Sequence, residues 1–279
     1  MFFAFKLLFS LCTLRPDIIS SHLNRASLIA GLLGKLTGIK SISHIHGLNL
    51  KDYYRFSDYL VAVSHAVKTH LTEQGARTDN LRVIANHIDK PALSHKKSPG
   101  NPLRIVITAK LHKNKGHLWA LEAIASNISR LGSIKIDILG DGPERSTLEK
   151  YCNNSSLKEH VFFHGFVNDP EIFYDRIDIA LLPSLGEGIP LSLLEAMRWG
   201  IPCIATNIGG IPEIVENDKN GLLIKLGDAD ALINAILKIS ASYERFSAAA
   251  IEHFRCINNY SRMIDEFENL LLQALRLKQ

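Results

Sequence analysis

The chain is poor in the residues that would staple it or give it a metal. Its four cysteines, Cys12, Cys152, Cys203 and Cys256, are scattered and form no CxxC pair. That pattern argues against a disulfide framework and a thiolate zinc site, and it points to a reducing compartment, read as the cytosol. No HExxH, nucleophile elbow or Walker loop is present, which removes the commonest zinc-protease, serine-hydrolase and NTPase designs. There is no repeat and no low-complexity tract. Long apolar runs are missing too. The opening MFFAFKLLFSLCTL is interrupted by Lys6, is too short to cross a bilayer and is followed by no small-residue cleavage site. An amphipathic helix packing on the next strand is expected there.

The 279 residues are 46% apolar and 22% charged, enough for two ordinary cores. Charge is uneven. Residues 1–98 carry 13 Lys/Arg against 6 Asp/Glu, while the remainder carries 19 against 22. A basic first part suits an anionic acceptor or an anionic membrane surface. The basic residues are dispersed, without an aromatic-basic motif, so nucleic acid is not an expected partner. Short apolar runs alternate with helical stretches throughout, the pattern of parallel sheets covered on both faces. A polar Pro/Gly-rich stretch, PALSHKKSPGNP from Pro91 to Pro102, reads as a linker. The expected domains are 1–98, 99–250 and a closing helical segment 251–279, helical from about Ser247 to Lys278.

The most informative stretch is Leu181 to Ile224, LLPSLGEGIPLSLLEAMRWGIPCIATNIGGIPEIVENDKNGLLI. An apolar strand runs into a loop ending at Gly188, and a helix is expected from about Pro190. The first turn of a helix offers unpaired N–H groups and a positive dipole end, a site for phosphate. Glu187 lies before that helix and Glu195 within it. Carboxylates accept hydrogen bonds from sugar hydroxyls, so this spacing suits a ligand with sugars on both sides of a phosphate group. A nucleotide-sugar is such a ligand.

Glu187-x7-Glu195, with the downstream GGIPEIV and NGLL, resembles the donor-binding core of the retaining glycosyltransferases called group 1 or GT4. The likeness runs from about Pro16 to the C-terminus. It implies an α/β chain of GT-B type, with two Rossmann-like, doubly wound parallel-sheet domains. Further matches carry site residues. Lys110 stands where the family has arginine, and Lys115 matches its lysine; both would grip the donor diphosphate. Lysine keeps the charge but loses the bidentate fork. Gly142 belongs to a GDGP turn with Gly140. Phe166 lies in the loop beside the nucleobase. Gly188, Ile189 and Pro190 would approach the sugar and phosphates. Glu195 would hold ribose, and Glu187 the donor sugar. His46, in a His-Gly turn, would reach the donor sugar from the first domain. His22 and Ser64 match family positions at strand ends without a defined role. Asn86-His87-Ile88-Asp89 departs from the family's Asn-Gly-Ile-Asp, and His87 brings that turn into question. A nucleotide-diphospho-sugar is the co-substrate, with no other cofactor and no metal.

The reading is therefore a retaining glycosyltransferase, with a saccharide or lipid-linked acceptor, in surface polysaccharide or lipopolysaccharide synthesis. Its expected place is the cytoplasm, in contact with the inner membrane face. The alternative is a truncated, non-catalytic nucleotide-sugar-binding remnant or partner subunit. The first domain is short for the family, lacking early strands and a glycine-rich loop. A truncation, a covering partner or second copy, or a reshaped domain would each account for that.

Overall fold

The computed structural model describes residues 2–93 and 98–276. It divides into two compact units, each built on its own parallel sheet. The first takes Met1–His87, Glu187–Ile189 and Tyr260–Gln279; the second takes Ile88–Gly186 and Pro190–Asn259.

The first unit opens with α1 (Phe2–Leu14), then β1 (Ile18–His22), α2 (Asn24–Thr37), β2 (Lys40–Ile45), a 3-10 turn (Lys51–Tyr54), β3 (Tyr59–Ala62), α3 (His65–Glu73) and β4 (Leu81–Val83). The strands lie side by side in chain order, all parallel. One sheet face packs Ile45, Leu60 and Ala62 on Val67 and Leu71 of α3. The other face buries Ile42, Tyr59 and Val61 under Leu270 and Ala274 of α11 (Tyr260–Arg276). β3 is buried at every position, which is why it reads as a continuous apolar run, while β2 buries Ser41 and Ser43 beside Ile42 and Ile45.

The second unit runs β5 (Leu103–Thr108), α4 (His117–Ala125), α5 (Ile128–Leu131), β6 (Ile134–Leu139), α6 (Arg145–Asn153), β7 (Val161–Gly165), α7 (Glu171–Tyr174) and β8 (Ile179–Leu182). It continues with α8 (Leu191–Arg198), β9 (Cys203–Thr206), β10 (Gly221–Ile224), α9 (Ala229–Ala241) and α10 (Tyr243–Ile257). Its sheet order is β10-β9-β8-β5-β6-β7. Winding proceeds one way from β5 through β6 and β7, and the other way from β8 through β10. The order reverses between β5 and β8, and in open parallel sheets ligands sit outside the carboxyl ends of the strands at such a point. Asp137 on β6 is a buried charge in this sheet, matched by Arg104 Nη1 at 2.9 Å and His164 Nε2 at 2.7 Å.

Three local expectations are corrected. α1 is helical but not amphipathic. Leu7, Leu8 and Leu11 pack with Ile19, Ile29, Leu33 and Ile39, yet Phe5, Phe9 and Leu14 are exposed, so apolar residues face both ways. The closing segment is two helices rather than one. Asn258 stops α10 by bonding the backbone of Ile88 on both sides, accepting from its N–H at 2.8 Å and donating to its carbonyl at 2.8 Å. Those bonds need Asn258 outside helical geometry, at φ −84 and ψ 77. Finally, the polar stretch after Lys90 begins as a docked segment. Pro91 accepts from Arg198 Nε at 2.7 Å, and the Leu93 N–H donates to the Arg198 carbonyl. Ser94–Lys97 and Lys278 lie outside the described residues. Among the described residues no helix is both long and apolar enough to cross a membrane.

Candidate functional site

In the second unit the loops after β5 and β8 meet at the switch point. The Leu185 N–H donates to the Asn114 carbonyl at 2.8 Å, joining the loop of Lys110 and Lys115 to the loop before α8. Gly116 makes that join possible. It ends the 3-10 turn Lys113–Lys115 at φ +68, and a Cβ there would lie 1.9 Å from the Pro183 carbonyl oxygen. Only glycine fits both conditions. Lys115 is thus held half-buried, while Lys110 stands exposed.

Lys110 also lines a cavity of about 370 Å³ with Thr108, Ala109, Leu139, Gly140, Asp141, Phe166 and Val167. Phe166 is exposed at 78%, an apolar ring kept in water beside a cavity, which a flat heterocycle could cover. Gly142 backs onto the Leu111 carbonyl, and its N–H donates to Asp141 Oδ1 at 2.7 Å. Gly140 has positive φ; Gly142 does not.

Helix α8 begins at Leu191, at the start expected from about Pro190. Pro190 caps it in extended geometry, φ −74 and ψ 112, so the proline fixes the chain's entry into the helix rather than occupying its first turn. The N–H groups of that first turn have no intrahelical acceptor and carry the positive dipole end. Further along, Glu195 is half-buried and makes no hydrogen bond among the described residues. Burial first, and the negative Glu171 second, raise its pKa to about 7. A half-buried carboxyl without a side-chain hydrogen bond, with Lys90 as its favourable charge, can accept hydroxyl donors. Arg198, one turn on, is committed elsewhere: it pairs with Glu171 at 2.5 Å.

The first unit holds the other sequence-predicted residues. His22 ends β1, His46 follows β2, and Ser64 follows β3, where its hydroxyl caps α3 by accepting from the Val67 N–H at 3.0 Å. Glu187, Gly188 and Ile189 belong to this unit. Gly188 is pressed on the His46 main chain: a Cβ there would meet the His46 carbonyl oxygen at 2.5 Å and Val63 Cγ2 at 2.7 Å. Asn86 Nδ2 donates to the Ile189 carbonyl at 3.3 Å. His87 does not take positive φ, so histidine at this position is unstrained.

Three histidines form a group that sequence reasoning did not assemble. The rings of His22 and His44 stack at 4.3 Å and 14°, and those of His22 and His46 lie at 5.2 Å and 20°. His22 Nδ1 and His46 Nε2 are 2.9 Å apart, a hydrogen bond. Burial, then the neighbouring His22 and His46, lowers the His44 pKa to about 4; partial burial, then His22, lowers that of His46. The signal was the His-x-His spacing of His44 and His46, which puts both on one side of a strand. Leu23, next to His22, sits at φ 71 and ψ 154, a region nearly reserved for glycine that costs on the order of 1–3 kcal/mol. Among the described residues no group of three or more His, Cys, Asp or Glu side chains is placed to hold a metal ion.

The comparisons bear on the family and the fold. A family model described as "Glycosyl transferases group 1" matches residues 102–242, and one described as "Glycosyltransferase Family 4" matches residues 1–90. The amylovoran biosynthesis glycosyltransferase AmsK of Erwinia amylovora is 30% identical over 80% of this chain and 61% of its own length. The UDP-Gal:alpha-D-GlcNAc-diphosphoundecaprenol alpha-1,3-galactosyltransferase of Escherichia coli is 28% identical over 80% of this chain and 66% of its own. The chain thus spans less than two thirds of the length of these relatives. Among solved structures, Anabaena HepE in complex with UDP-glucose superposes with a TM-score of 0.85 at 18% identity, over 97% of this chain and 82% of HepE. Sucrose-phosphate synthase of Thermosynechococcus elongatus gives 0.80 at 18%, over 99% and 78%. With matched models across both of its parallel-sheet units, the chain belongs to the group 1 glycosyl transferases and has their GT-B fold.

Proposed function

We propose that this chain is a glycosyltransferase that moves a sugar from a nucleotide-diphospho-sugar to a saccharide or lipid-linked acceptor, with retention of configuration. The observation that carries the reading is the second unit's switch point. Two lysines, an exposed aromatic ring over a cavity, a helix start and an unpaired half-buried carboxyl lie on the loops and the helix that follow its strands. Each has a role on a nucleotide diphosphate. Phe166 covers the base. Glu195 accepts from the ribose hydroxyls. Lys110, Lys115 and the N–H groups after Pro190 neutralise the diphosphate as it leaves, work that metal ions do elsewhere. Gly142 keeps the turn beside the cavity close. In the first unit, Glu187, the main chain of Gly188 and Ile189, and the ring of His46 orient the donor sugar.

Uridine is the base this reading favours, because HepE is solved with UDP-glucose and the Escherichia coli relative is named for UDP-Gal. Surface polysaccharide or lipopolysaccharide synthesis is the setting, by analogy with AmsK and with a lipopolysaccharide 1,6-galactosyltransferase of Escherichia coli K12. The basic first 98 residues suit an anionic, lipid-linked acceptor at a membrane face.

The test is to incubate the chain with UDP-galactose, UDP-glucose or UDP-N-acetylglucosamine and a lipid-diphosphate-linked sugar acceptor. UDP release that requires the acceptor, with a product keeping the donor's anomeric configuration by NMR, is the expected result. An inverted product would overturn retention. No acceptor-dependent release with any pairing, from a chain that binds UDP, would overturn transfer.

A further inference from the structure

We propose that His22 is a positioning residue for His46: its Nδ1 holds His46 Nε2, and thereby fixes the ring plane that His46 presents to the donor sugar and couples the His46 tautomer to that of His22. The inference rests on the reading above, in which His46 faces that sugar. The distance of 2.9 Å and the 20° between the rings give the bond.

A bond between two imidazole nitrogens holds one proton. Two bare nitrogens repel, and so do two N–H groups. The two rings are therefore coupled. If His22 Nδ1 donates, His46 carries its own proton on Nδ1 and offers the sugar a donor. If His46 Nε2 donates, its Nδ1 offers a lone pair. In either arrangement His46 Nε2 is occupied, and Nδ1 is the ring nitrogen left for substrate. His22 thus selects which atom of His46 reaches the sugar, and the direction of its bond selects donor or acceptor.

The surroundings keep this pair in place. His22 lies on His44, which lies in turn against Phe267 of α11 at 5.1 Å. His44 is a platform rather than a relay member. Its buried Nε2 has no hydrogen-bond partner, and register places it directly beside His22 in the sheet. The His46 main chain is backed by Gly188. On the other side of His22 the chain turns through Leu23 in a conformation leucine rarely adopts. Backbone strain of this kind persists only where the surroundings impose it, and it clusters at functional positions.

Two substitutions separate the bond from the stack. His22→Asn keeps a polar atom near the Nδ1 position but loses the ring; His22→Phe keeps a ring on His44 but has no hydrogen-bonding atom. Each full-length chain is labelled with ¹⁵N-histidine, and the ring nitrogens of His46 are recorded near neutral pH, assigned by their loss in a His46→Gln chain. The wild type is expected to show one dominant His46 tautomer. The asparagine variant should keep it. The phenylalanine variant should bring the two His46 nitrogen shifts towards their average, with UDP affinity within about twofold of wild type. Where transfer is measurable, kcat should fall about tenfold in the phenylalanine variant at an almost constant donor KM, and recover in the asparagine variant. If His22→Phe does not fold, His22→Leu is read in its place. An unchanged His46 tautomer in the variant without a bonding atom would overturn the proposal, as would averaging in both variants, which would give the role to stacking. Because the spectrum is taken on free protein, it stands apart from a failure of UDP binding, which would count against the donor-site reading instead.

Discussion

Glu195 carries a pH signature that stability measurements can read. Its carboxyl holds a proton to about pH 7 in the folded chain, against an ordinary value of 4.5. Between those values the native state binds more protons than the unfolded chain, so stability falls as pH rises through that window and is level below it. A Glu195→Gln chain should therefore be more stable than wild type by a margin that grows from about pH 4.5 to 7 and then stays constant. Urea midpoints across that range check this; parallel curves for the two chains would contradict it. At Leu23 the strain argues for the opposite of the usual glycine penalty. Leu23 is 70% exposed, so Leu23→Gly loses little burial, relieves ~1–3 kcal/mol of strain and adds ~0.5–1 kcal/mol of unfolded-state entropy. The urea midpoint should rise or hold. A loss of unfolding free energy of more than about 1 kcal/mol would show that the conformation is not strained.

The turns and helix starts are where sequence and structure can be compared most sharply. The run from Leu181 to Ile204 announced strand, loop, helix and strand, because its apolar spacing changes from continuous to helical and its punctuation is proline and glycine. Glu187 and Glu195 stood out by their spacing around the expected helix start, whereas Lys110 and Lys115 stood out only through the resemblance to the family's loop. The His22–His46 bond could not be seen, since it joins residues 24 apart whose meeting depends on the parallel register of β1 and β2. Nor could the break at Asn258, because its partner Ile88 is 170 residues away. The spacing of α1 was equally silent about which of its apolar residues would be covered. The loop geometry itself yields a prediction. Gly116→Ala places a methyl group against the Pro183 carbonyl at positive φ. It should cost at least ~1–3 kcal/mol of stability and weaken nucleotide binding by moving Lys115, read by calorimetry of the folded variant. An alanine variant as stable as wild type would contradict the packing described at Pro183.

At the scale of the whole chain, neither unit is a continuous piece. The chain enters the second unit at Ile88, and the first unit's sheet is completed by α11, after residue 259. Residues 2–90 alone would leave Ile42, Tyr59 and Val61 without Leu270 and Ala274. That fragment should fail to give a cooperative unfolding transition unless a 260–276 peptide is supplied; folding without the peptide would show that α11 is dispensable. Leu270→Ala in the intact chain should cost ~2–5 kcal/mol. The central claim, that the switch point of the second unit is a nucleotide site, is tested most directly by calorimetric titration of UDP into the full chain, with Lys115→Ala and Glu195→Ala beside it. The account predicts saturable binding, weakened roughly tenfold or more in each variant, as loss of a charged hydrogen bond requires. A folded chain that binds no UDP, or binds it equally well without Lys115 and Glu195, would contradict it.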